Sequence, residues 1–231
     1  MTIMFLNYEK CALCGEKNEV IMLGSSNTFG GSPDLDTRPA EMLRSTINVW
    51  IHICSSCGFC APDISKRIEK SSELVRTDLY QQQLNSTEFP KLANAFLCYS
   101  LIQENAGDYA GAGWSCVHAS WVCDDTNSEE AAQKCRKKAI GLFQKAKENS
   151  QVIDEEASTA EILIIDLLRR SRQFELALKT CDENLKKNPE KSILDVLKYE
   201  KILIKNKDSA CHTIEEATKR TKSQSKAGEK A

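Results

Sequence analysis

Punctuation is scarce in this chain, which has five prolines and ten glycines in 231 residues, three of the prolines and five of the glycines before residue 63. The remainder therefore has few breakers and reads as long regular segments. Aromatic residues are sparse at 6%. Neither charge sign dominates: 31 Lys+Arg face 33 Asp+Glu, a net of −2, so no global basic field draws the chain to nucleic acid. No apolar run reaches the length of a membrane helix, since Ile162–Leu168 is interrupted by Asp166. The opening Met-Thr-Ile-Met-Phe-Leu-Asn-Tyr lacks a basic start and a long apolar stretch, so it does not read as a signal sequence. These absences lead to the expectation of a cytoplasmic protein of one or two domains with a sizeable core. Motifs for several chemistries are also missing. There is no His-Glu-x-x-His, phosphate loop, nucleophile elbow or dinucleotide fingerprint.

What is present is cysteine, eleven in all. At about one residue in twenty this is below the share of a disulfide scaffold. The arrangement is also different. Cys11-Ala12-Leu13-Cys14-Gly15 and Cys54-Ser55-Ser56-Cys57-Gly58 are two CxxCG units. Thiolates at i and i+3 converge on one ion when the backbone turns tightly, and the following glycine accommodates that turn. Cys11, Cys14, Cys54 and Cys57 are therefore the expected ligands of one structural Zn²⁺. Cys60 is expected to be a buried residue, with a spare ligand or an oxidisable thiol beside the metal as alternatives. His52 is a lesser candidate ligand. The other cysteines, including Cys116 and Cys123, have no partner at metal spacing and read as small core residues.

The flanks of the pairs read as strand: Val20–Leu23 leaves the first, and Ile47–Ile53 enters the second with Ile47, Val49, Ile51 and Ile53 on one face. Between them, Ser25–Pro39 is rich in turn formers. Its Asp34, Asp36 and Arg38 suit a salt-bridged loop, a ligand clamp or a second metal site. From Pro62-Asp63 onward the apolar period changes to about 3.6. Helices are predicted near 64–83, 88–105, 108–124, 128–148, 155–171, 173–187, 191–206 and 208–220, the first capped by Asp63. Tyr109, Ala112 and Cys116 recur as Phe174, Ala177 and Cys181 at a constant offset, the signature of a helical repeat of tetratricopeptide type. A generic antiparallel bundle is the alternative. Trp114, His118 and Trp121 form a stripe, read as packing or as a pocket lining. His212 reads as an isolated histidine of the last helical stretch.

The order CxxCG, then Ser32-Pro33-Asp34-Leu35-Asp36-Thr37-Arg38-Pro39 with Glu41-Met42, then Trp50 and Cys54-x-x-Cys57-Gly58-Phe59, resembles a bacterial family of uncharacterised proteins, a domain of unknown function. The resemblance covers the chain to about residue 217. It implies a bacterial, cytosolic, zinc-binding protein with tetratricopeptide-like helices, and carries no activity. Ala12 stands where that family suggests proline.

The expected fold is mainly α, with a small N-terminal β zinc-ribbon-like domain (1–62), TPR-like antiparallel helical repeats (63–217) and a disordered basic tail (218–231). The expected role is a non-catalytic interaction module that engages a protein or peptide on its helices, with no membrane partner; its oligomeric state is left open. Nucleic-acid binding through the ribbon is the first alternative. It is disfavoured because residues 1–62 carry four basic and six acidic side chains. A redox sensor using Cys60 is the second.

Overall fold

The computed structural model describes residues 2–220; the tail expected from Thr218 lies, from residue 221 on, outside the described residues. The fold is mainly helical with a small N-terminal region of antiparallel strands. Contacts group the chain into two units, residues 1–29 with 41–153, and residues 30–40 with 154–231. This grouping departs from a boundary at residue 62, because the cysteine box packs on the first helices while its insert folds with the last ones.

In the first unit, β1 (Ile3–Lys10) and β2 (Lys17–Ser25) form an antiparallel hairpin in register from Lys10 opposite Lys17, with a bulge between Ile3 and Met4. After α1 (Glu41–Arg44), the segment expected to be a strand begins as one 3-10 turn, Ile47–Val49. Its alternation is real, since Ile47, Val49 and Ile51 are all buried. Only β3 (His52–Ile53) is extended, paired with β4 (Cys60–Ala61). The predicted helix 64–83 is also broken, into α2 (Ser71–Leu74) and α3 (Asp78–Leu84). Asp63 accepts from the Ser65 amide (3.0 Å) and hydroxyl, making a local turn instead of capping a helix, and Lys70 sits at φ 59°.

The longer helices follow the predicted bounds closely: α4 (Lys91–Asn105), α5 (Tyr109–Asp125) and α6 (Glu129–Glu148). Helix α5 packs against both α4 and α6. Small residues allow this. Ala112, Cys116, Ala119 and Cys123 are fully buried, and a Cβ on Gly113 would lie 2.4 Å from the Phe143 ring.

The second unit packs α7 (Ala157–Arg170), α8 (Phe174–Leu185) and α9 (Lys191–Lys205) against one another. Five helix ends in the two units share one closing turn, in which a residue at positive φ (Gly107, Asn127, Ser150, Arg172, Lys207) precedes an amide that bonds five residues back. These bonds are Asp108→Gln103, Ser128→Cys123, Gln151→Ala146, Gln173→Leu168 and Asp208→Leu203, all 2.8–2.9 Å. This is the Schellman closure, and it explains why the chain stays helical with so little proline. Residues 33–38 lie along 212–214 as a strap: Leu35 donates to the His212 carbonyl (2.9 Å) and Ile214 to that of Pro33 (3.0 Å).

Candidate metal centre

Each CxxCG unit occupies the turn of a hairpin, the first between β1 and β2 and the second between β3 and β4. The two turns repeat one hydrogen-bond pattern. The amide of the leading cysteine donates five residues on (Cys11 to Glu16, 2.8 Å; Cys54 to Phe59, 2.9 Å). The glycine amide donates back to that cysteine (Gly15 to Cys11 and Gly58 to Cys54, both 2.9 Å). Gly15 and Gly58 sit at φ +81° and +74°, where a side chain is strained.

The turns face each other. The sulfurs of Cys11, Cys14, Cys54 and Cys57 all lie within 4.8 Å of one another. Cys11 Sγ is 3.7 Å from Cys57 Sγ, and Cys14 Sγ is 3.5 Å from Cys54 Sγ. A disulfide needs about 2.05 Å. A tetrahedron of thiolates about 2.3 Å from a central zinc has edges of about 3.8 Å. The spacing fits a shared ion, and so does the donor chemistry. Burial pushes the Cys11 thiol up, and burial with the neighbouring thiols pushes Cys57 up. At Cys54 burial also pushes upward, but amides of Cys57 and Ser56, with Cys14 and Asn18, bring the thiol down to about 7. Four thiols this close ionise together only around a cation. Cys11 and Cys54 are buried, Cys57 is half-buried and Cys14 is exposed.

Two residues that hold the cluster escaped sequence reasoning. Asn18 accepts from the Ser55 amide (2.8 Å) and hydroxyl (2.9 Å), and its Nδ2 donates to the Glu16 carbonyl (3.1 Å) and toward Cys54 Sγ (3.6 Å). It ties the first turn to the second and orients a ligand. Its signal is a polar residue in phase with buried Val20 on β2. Tyr80, fully buried on α3, donates to the Gly58 carbonyl (2.9 Å) and accepts from the Cys60 amide (3.1 Å). Nothing in the sequence marked it.

Cys60 is fully buried outside the cluster, where its thiol points to the Gly58 carbonyl (3.3 Å). Its neighbour Cys98 is held well above the ordinary thiol range by hydrogen bonding to Cys60 and by burial. His52 is buried in β3, also outside the cluster, and desolvation lowers its basicity.

The other predicted residues fall elsewhere. Asp34, Asp36 and Arg38 are buried within the second unit. Asp36 Oδ2 accepts from Arg170 (2.8 Å) and Oδ1 from the Arg38 amide (3.2 Å). The loop is thus a salt-bridged strap. Beside it, fully buried Arg169 bonds Glu200 (2.9 Å), Asp166 and the Asp208 and Ala210 carbonyls (both 2.8 Å). The stripe on α5 is aromatic packing: the His118 ring lies 5.0 Å from Trp121, 5.3 Å from Trp50, 5.4 Å from Phe96 and 6.2 Å from Trp114. Burial among them lowers the His118 pKa to about 4. His212 is not isolated; its ring meets Tyr199, Glu216 and Asp208 at 3.0–3.1 Å. Cys98, Cys116, Cys123, Cys135 and Cys181 are buried, and Cys211 is exposed.

Residues 9–223 match the model of a family described as an uncharacterized protein conserved in bacteria. No curated protein and no solved structure matches the chain. No helix among the described residues is long and apolar enough to cross a membrane.

Proposed function

The chain belongs to that bacterial family, DUF2225, and we propose that it is a non-catalytic interaction module stapled by a structural zinc. Cys11, Cys14, Cys54 and Cys57 are its ligands, and their mutual approach within 4.8 Å carries the reading. Zinc at such a site links two short hairpins that bury little apolar surface of their own, and so supplies folding energy. Four thiolates complete the tetrahedron and leave no position for water or substrate, which supports a role outside catalysis.

Helices α7, α8 and α9 are the platform in this proposal, a helix–turn–helix array of tetratricopeptide type. Phe174, Ala177 and Cys181 open α8 at the positions that Tyr109, Ala112 and Cys116 hold in α5, and both alanines and both cysteines are fully buried. A groove of about 270 Å³ runs along Ala157, Ile162, Pro189, Ile193 and Leu197, with Glu161 and Lys187 at its border. Its lining suits an apolar side chain of a partner peptide. A redox sensor has less support, because a sensing thiol must be reachable and Cys60 is 0% exposed.

Native mass spectrometry of the reduced protein tests the reading. One zinc per chain is expected, lost on Cys11→Ser or Cys54→Ser and kept on Cys60→Ser. A metal-free protein with Cys54 joined to Cys57 would overturn it.

A further inference from the structure

The first hairpin exposes apolar side chains on both of its faces. Ile3, Met4, Phe5, Leu6 and Tyr8 on β1 and Ile21 on β2 are 39–54% exposed. Within β1, Ile3 and Phe5 alternate with Met4, Leu6 and Tyr8, so neither face is the wet side of an ordinary half-buried ribbon. The sheet has two strands, and among the described residues no backbone bond reaches the outer edge of β1. Proteins guard such edges with charge or proline. Residues 3–8 contain neither.

From this edge we infer that β1 pairs antiparallel with β1 of a second copy of the chain, making a four-stranded sheet across a twofold axis at Phe5 or Leu6. The pairing explains apolar residues on both faces of one strand, since edge-to-edge addition covers the flanks of both. The strand is its own complement: with the axis at Leu6, Met4 meets Tyr8 and Phe5 meets Asn7 of the other copy. Charge agrees. Lys10, Lys17 and Glu19 all lie at the turn end of the hairpin, Lys17 folded over the Tyr8 ring at 4.5 Å. The twofold sends these clusters to opposite ends of the new sheet, so like charges do not meet.

Area sets the affinity. The six side chains expose on the order of 600 Å² per copy. Edge pairing covers the flanks of the five on β1 and leaves Ile21, one strand further in, outside the seam, so the interface falls below about 1,200 Å² and the dimer is a weak, concentration-dependent one. Residues 221–231 hold no apolar side chain larger than alanine, so their composition offers no apolar cover for the strand.

Sedimentation velocity of the full zinc-loaded chain from 1 to 100 µM tests this. The expected result is a reversible species of twice the 25.8 kDa chain mass. Leu6→Lys places two ammonium groups near the axis and is expected to weaken the dimer at least about tenfold. Zinc content and far-UV circular dichroism should stay unchanged, because Leu6 is 54% exposed. Hydrogen exchange on the unmodified chain needs no variant. The outward amides of residues 3–8 should exchange more slowly at 100 than at 1 µM, and β2 amides should not respond. A wild-type monomer at 100 µM, a Leu6→Lys dimer of undiminished affinity, or β1 exchange independent of concentration would each overturn the inference. A monomer that floats with anionic phospholipid vesicles would overturn it too, and would give the face to lipid.

Discussion

Replacing Asp36 with alanine puts the strap to the test. Asp36 is fully buried, Arg170 is 6% exposed, and their charged atoms are 2.8 Å apart. The carboxylate also accepts the Arg38 amide at 3.2 Å, so one substitution strips two donors of an acceptor. Removing one member of a buried pair leaves the other charge desolvated, at a cost of about 3–5 kcal/mol. Against a typical stability of about 5–15 kcal/mol this is a large fraction. The readout can be made specific to the second unit, because Trp50, Trp114 and Trp121 all belong to the first. Urea unfolding of Asp36→Ala should therefore lose part of its helical circular dichroism before the tryptophan emission shifts. Adding Arg170→Met removes the cation that Asp36 had faced and should restore about half of the loss. If Asp36→Ala costs less than about 1 kcal/mol, or the tryptophan signal moves first, the strap is not held by this pair.

Four further outcomes follow from the same structure. Gly58→Ala forces a side chain into left-handed backbone, at about 1–2 kcal/mol, and presses on Leu84; weaker zinc retention in a competition with a colorimetric chelator is expected. Gly113→Ala drives a methyl into the Phe143 ring and should lower stability by about 1–3 kcal/mol in urea melts. His118 has a folded pKa of about 4 against 6.5 in the unfolded chain, so the folded state resists its protonation. Its contribution is complete above pH 6.5 and lost as pH falls toward 4, on the order of 3 kcal/mol in all; a His118→Leu variant should show a flatter stability profile over that window. With zinc as the proposed ion, protons would compete with it for the four thiolates, so zinc release measured by a fluorescent indicator should rise as pH falls, and Asn18→Ala should move the midpoint to higher pH.

The helices from 91 on were legible because α6 to α9 each carry one apolar face, α4 and α5 are long apolar stretches without proline, and each ends near a residue able to take positive φ. Asn127, Arg172 and Lys207 show that the position matters more than the residue type. The cysteine spacing likewise marked the four sulfurs that meet. The strand β1 was not legible as one, because its unbroken apolar run carries no alternation to read. Ile47–Ile53 has perfect alternation yet folds as a 3-10 turn with a two-residue strand, since a burial pattern with period two is also met by a tight turn packed on one side. The destination of Asp34, Asp36 and Arg38 was beyond local reasoning. The partner of Asp36 is Arg170, 134 residues away, and no periodicity links the two.

That distance sets an order of events during synthesis. The four cysteines have all emerged once residue 57 clears the ribosome, and an ion held by all four would then close residues 15–53 into a loop. The strap lies inside that loop, and its guanidinium partner, Arg170, is still about 113 residues from completion at that moment. At about 5–20 residues per second, the wait is roughly 6–23 s. Through that interval Asp34, Asp36 and Arg38 await the helix that carries Arg170. The closing of the second unit is therefore timed by the ribosome, and a chain stopped near residue 154 would leave the strap without that helix.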